Sequence, residues 1–143
     1  MSMVPIFVYG TLLWGEPAHQ LLAHAAVRHV PACLPNAQLH STGPYPIAIQ
    51  LPPTDLPAPA TVYGEVHWLA AGACPALLAH LDQYEGDEYV RARCTVSLCD
   101  GSDQGDKPST VAAWVYLGDP DYAAQFPIIA SGDWRKRARD VNG

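Results

Sequence analysis

Positive charge is scarce in this chain: eight of its 143 residues are Lys or Arg against fourteen Asp or Glu, a formal net charge of −6. Four of the eight cations, Arg135, Lys136, Arg137 and Arg139, sit in one terminal tract, so the rest of the chain is plainly acidic. Without a basic stripe carrying interleaved aromatics, nucleic-acid partners are not expected. No apolar run approaches the roughly 20 residues that span a bilayer, so no membrane partner is expected either. Cysteine is sparse as well. Cys33, Cys74, Cys94 and Cys99 include no C-x-x-C pair and no framework spacing, and no apolar leader precedes them, which predicts a reduced, cytoplasmic protein. The six histidines lack H-E-x-x-H or any comparable ligand pattern; structural or exposed roles, and no metal, are the expectation. Internal repeats and low-complexity blocks are missing too.

The composition that remains, 49% apolar and 15% charged, fits a single compact domain over residues 1–143, with residues 131–143 a frayed basic tail. Fourteen prolines argue for many loops and few long helices. The stretch Ile6, Phe7, Val8, Tyr9 is wholly β-branched or aromatic and is bounded by Pro5 and Gly10, which predicts a short, largely buried strand. Pro17 then suits the first turn of a helix, where its missing donor costs nothing. A loop between strand and helix can present backbone N–H groups to a carboxylate or an oxyanion. By spacing alone, a simple turn at Gly10 accounts for the same residues.

Ala18, Leu21, Leu22 and Ala25 recur at helical spacing and predict about three turns over residues 17–26. Residues 28–50, interrupted by four prolines, predict an irregular, edge-like strand pair, and residues 52–60 a surface connector. Residues 61–69 read as a strand in which Gly64 marks a close backbone approach. Cys74, Leu77, Leu78 and Leu81 fall at i, i+3, i+4 and i+7, a helix over Cys74–Glu85 stopped by Gly86. Residues 89–99 alternate, with Val90, Ala92, Cys94, Val96 and Leu98 on the inward face. After a loop over residues 100–108, residues 110–117 return antiparallel. Asp119-Pro120 opens a short helical turn, and residues 126–129 pack on the body.

One residue violates the pattern. Eleven positions after Cys74, at about 100° per residue, Glu85 returns to the centre of the apolar stripe. An inward carboxylate is costly unless paired, protonated or useful. Burial and the helix C-terminus would both raise its pKa, toward the range of a general acid or base. Pairing with Arg91 or Arg93, or a helix that ends one residue early, would account for it without function. Neighbouring Asp82, Asp87 and Glu88 are expected to be solvated.

The Tyr9-Gly10-Thr11-Leu12 loop and the Leu81-Asp82-Gln83-Tyr84-Glu85-Gly86 helix end, followed by Tyr89 and Arg91, resemble the γ-glutamylcyclotransferase-like family. Val62-Tyr63-Gly64-Glu65-Val66, Ala113-Trp114-Val115-Tyr116 and Ser131-Gly132-Asp133-Trp134 extend the resemblance over most of the chain. It implies an α+β fold, a small mixed β-barrel with flanking short helices, and a cavity where the loop meets the glutamate. It further implies that Tyr9, Gly10, Thr11 and Leu12 bind a γ-glutamyl small molecule, with Tyr116 a further contact, and that Glu85 is catalytic. The implied reaction cyclises the γ-glutamyl group of a γ-glutamyl amine or peptide to 5-oxoproline, with no metal or cofactor. The alternative is a non-catalytic binder of small carboxylates with the same fold. Leu13-Trp14 stands where many relatives carry basic or polar residues, and Ala18 where an asparagine is frequent, which leaves the leaving group open.

Overall fold

A computed structural model describes residues 3–50, 60–86, 89–98 and 109–136. The expected connector over 52–60 and loop over 100–108 lie almost wholly outside the described residues, as do Cys99, Asp87 and Glu88. Seven strands are described: β1 (Met3–Val8), β2 (Ala26–Pro35), β3 (Ala37–Ser41), β4 (Pro46–Gln50), β5 (Thr61–Ala70), β6 (Tyr89–Leu98) and β7 (Thr110–Gly118). Five close into a mixed barrel in the order β1-β5-β2-β6-β7, while β3 and β4 form a separate hairpin. The barrel's seam is a parallel contact of β1 with β7 at Ile6 and Trp114; the other barrel pairs are antiparallel.

The unbroken apolar run in β1 follows from burial on both faces. Phe7 joins the cluster that fills the barrel with Leu34, Val62, Val66, Val96 and Val115. Ile6 and Val8 point the other way, into a second cluster with Leu69 of β5 and with Leu22, Leu77 and Leu81 of the flanking helices. Gly64 lies where β1 and β5 close together: a Cβ there would stand 2.1 Å from the Val8 carbonyl oxygen. The close approach read from the sequence is therefore a contact with the β1 backbone.

Helix α2 (Cys74–Glu85) has the expected bounds, and Gly86 ends it at φ 76°, a left-handed conformation that glycine adopts freely. The first helix is shorter than its spacing predicts. A 3-10 turn over Pro17–His19 runs into α1 (Gln20–Ala23), and the chain enters β2 at Ala26. So short a helix has little stability of its own, and pairing of Ala26 with Leu69 of β5 takes its last turn into the sheet.

The expected edge-like pair over residues 28–50 is instead a ten-residue barrel strand, β2, plus the β3–β4 hairpin. β2 accommodates Pro31 and Pro35, and among the described residues it pairs with β6 only at Ala32 and Cys33. In β6 the alternation holds for Cys94 and Val96, but Val90 is 70% exposed. At that end Tyr89 and Arg91 turn onto the hairpin and α2, where Pro46 and Asp82 accept their hydrogen bonds. Asp119 caps α3 (Pro120–Ala123) by accepting from the Tyr122 N–H, as the Asp-Pro pair predicts. Of the segment over 126–129, Ile129 is buried and Ile128 half exposed. None of the described helices is long and apolar enough to cross a membrane.

Candidate functional site

Between the end of β1, the end of α2 and the hairpin turn lies a cavity of about 620 Å³, within the usual range for small-molecule sites. Tyr9, Gly10, Thr11, Leu12, Glu85 and Tyr116, the six residues singled out from the sequence, all line it. The sequence reading missed the opposite wall, Pro44, Tyr45 and Pro46. It also missed Tyr84, whose hydroxyl lies 3.1 Å from Thr11 Oγ1 and joins the loop to α2.

Glu85 is the last residue of α2. Burial pushes its carboxyl up to about 7, because a charge is poorly solvated there. Neither candidate arginine offsets this. Arg91 donates through Nε and Nη2 to Asp82, at 2.9 and 3.2 Å, and Arg93 lies over the Trp114 ring. Glu85 has no hydrogen-bond or ion-pair partner among the described residues.

Asp82 is exposed, as expected, with its side chain 44% accessible, and it also accepts from Arg91 and, at 2.6 Å, from the Tyr116 hydroxyl. Burial works against its charge, but these bonds and the arginine hold its carboxyl below the usual range. Its distance from the apolar stripe said nothing about a partner on β7. With its proton given to Asp82, the Tyr116 oxygen is left as an acceptor facing the cavity.

The loop's polar groups are sorted by direction. Gly10 O accepts from Leu13 N, Thr11 O from Ala18 N, and Leu13 O from Glu16 N, at 2.9–3.1 Å. Leu12 O is 2.9 Å from His19 Nδ1; since a carbonyl only accepts, that nitrogen carries the proton. Trp14 O accepts from Arg135. Five consecutive carbonyls are thus bonded away from the cavity. The central N–H groups of the turn, Thr11 and Leu12, are not used by its closing bond and suit an anion. Gly10 is required by packing: a Cβ would stand 2.5 Å from Pro46 Cγ. Tyr9 contributes ring and backbone only, since its buried hydroxyl donates to Tyr116 O at 2.5 Å and accepts from Ala48 N at 3.3 Å.

Residues 6–136 match the sequence profile of a family described as gamma-glutamyl cyclotransferase, AIG2-like. The chain belongs to this family. It is similar to the bovine gamma-glutamylaminecyclotransferase, with 35% identity over 104 residues, 67% of this chain and 58% of that protein. A Vibrio cholerae protein is 28% identical over 132 residues, 92% of this chain and 96% of its own. The crystal structure of a mouse AIG2-like protein superposes with a TM-score of 0.64 at 23% identity, covering 90% of this chain and 86% of that one. The shared architecture is the five-stranded mixed barrel with short helices.

Behind the loop of this AIG2-like chain lies a second polar group. Glu65 Oε1 accepts from Trp14 N at 2.9 Å and His67 Nε2 at 3.0 Å, and Oε2 accepts from Arg135 Nη1 at 3.2 Å. Burial opposes its charge, yet the three donors together hold its carboxyl down near 2. His67 is fully buried, stacks on His29 at 4.9 Å, and is pushed below the usual imidazole range by that burial. Residues 131–136, expected to belong to a frayed tail, are instead tied to the body. Trp134 is 1% exposed, the Tyr63 N–H donates to Gly132 O at 2.8 Å, and Arg135 is held by Glu65 and the loop. Among the described residues no cluster of His, Cys, Asp and Glu is arranged to hold a metal ion.

Proposed function

We propose that the protein closes the γ-glutamyl group of a γ-glutamyl amine or peptide into 5-oxoproline and releases the amine or amino acid. The observation that carries this reading is an unpaired carboxyl, pushed up to about 7, in the same cavity as a turn whose carbonyls face away from it. The turn's N–H groups would hold the substrate α-carboxylate, which orients the α-amine toward the γ-carbonyl. Tyr116 and Glu85 offer acceptors to the α-ammonium.

Ionised Glu85 takes a proton from that ammonium, and the freed amine attacks the γ-amide carbon, forming the ring C–N bond. Protonated Glu85 then gives its proton to the departing nitrogen as the old C–N bond breaks. The ammonium loses two of its three protons on becoming the lactam N–H, and the leaving nitrogen gains two on departing as an ammonium. One carboxyl near neutrality can carry both in turn. Because the nucleophile belongs to the substrate, the chemistry asks for no catalytic Ser or Cys.

The test is to incubate the protein with a panel of γ-glutamyl amines and peptides and to assay 5-oxoproline, comparing wild type with Glu85→Gln. Wild type is expected to release it, and the folded variant to lose about 10²-fold or more. Equal turnover by both would remove Glu85 from the mechanism; an inert wild type would favour the carboxylate binder.

A further inference from the structure

The loop walling the cavity is held from behind in two different ways. The carbonyls of residues 10–13 are bonded by groups close in sequence, Leu13 N, Glu16 N, Ala18 N and the His19 ring. Trp14 is held by distant residues at both of its polar backbone atoms. Its N–H donates to Glu65 Oε1, and its carbonyl accepts from Arg135, which also donates to Glu65 Oε2. One buried carboxylate on a barrel strand and one arginine from the terminal segment thus clamp the peptide that follows the turn.

We propose that Arg135 is a positioning residue for the cyclisation, setting the Thr11 and Leu12 N–H groups by fixing Trp14 against Glu65. This rests on the function proposed above. The guanidinium suits the task because its planar fork meets a carboxylate and a carbonyl at once, which a single ammonium does not. Glu65 is a rigid anchor: it is 8% exposed and its strand lies between β1 and β2. The Arg135 side chain is 42% exposed, so the pair adds little to global stability and its effect falls on the loop. Because Arg135 bonds Glu65 and Trp14, neither of which lines the cavity with Glu85, it acts on binding rather than on proton transfer.

The experiment compares wild type, Arg135→Ala and Arg135→Lys in the full chain, using whichever panel substrate wild type turns over. Arg135→Ala is expected to raise KM about tenfold while kcat stays within about threefold, with an unchanged melting temperature. Arg135→Lys, keeping the charge without the fork, recovers part of the KM loss. In parallel, amide exchange at residues 11–15 should quicken about tenfold in Arg135→Ala, with the barrel amides unaltered. Unchanged exchange, unchanged KM, or a KM change that tracks a fall in melting temperature overturns the positioning role. If wild type is inert on the whole panel, the functional reading and this role fall together; unchanged loop exchange in an active protein sinks the clamp alone.

Discussion

Glu65 and Glu85 have the same side chain and opposite settings. Glu65 has three donors and is held near 2, whereas Glu85 has burial without a donor and is held near 7. For Glu85 the folded value lies above the ordinary 4.5, so the protonated form is the one folding favours. Its favourable contribution is complete below about pH 4.5 and is lost as pH rises through about 7. Allowing for partial exposure, the loss is on the order of 2 kcal/mol. Urea denaturation at about pH 5 and about pH 8 should show this decline in wild type and not in Glu85→Gln; parallel behaviour would mean that the carboxyl is solvated. Glu65 works in the reverse sense: its contribution is present above the ordinary carboxylate value and fails as pH falls toward 2. The same Glu85 titration predicts that kcat/KM drops below about pH 7, where the base is lost.

Among the elements, β5 depends most visibly on a single small residue. Gly64→Ala would drive a methyl to 2.1 Å from the Val8 carbonyl oxygen, forcing β1 away from β5 at a cost of roughly 3 kcal/mol. Thermal unfolding followed by circular dichroism should show a large drop, and a shift under about 2–3 °C would disprove the tight closure. That glycine was legible because a glycine inside a strand weakens it and is kept where another backbone must come close. Helix α2 was legible because twelve residues give the period time to repeat, and the same repeat brought Glu85 inward. The first helix was not, since so short a turn does not outweigh a ten-residue strand and its pairing. Of the site, the loop and the glutamate came from local pattern. Tyr45 and Pro46 did not, because their place depends on how the hairpin folds over the barrel. The Asp82–Tyr116 bond and the anchoring of Arg135 by Glu65 were missed for one reason: the partners are 34 and 70 residues away.

Among the described residues, β1 is shared by two apolar cores, one inside the barrel and one under the helices, and a smaller third cluster joins the hairpin to α3. Trp134 belongs to the first and is almost fully buried, so Trp134→Ala should cost about 3–5 kcal/mol. Denaturant titration measures this, and a loss below about 1 kcal/mol would show the terminal segment to be an accessory. The barrel seam has a consequence in time as well as in space. Tyr9 donates to the carbonyl of Tyr116, 107 residues later, so the first wall of the cavity waits for nearly the last strand. A chain emerging from the ribosome carries its glycine loop exposed and idle until β7 arrives. The pocket therefore forms only once β7 is in place, and contacts of such long range slow the closure of a barrel.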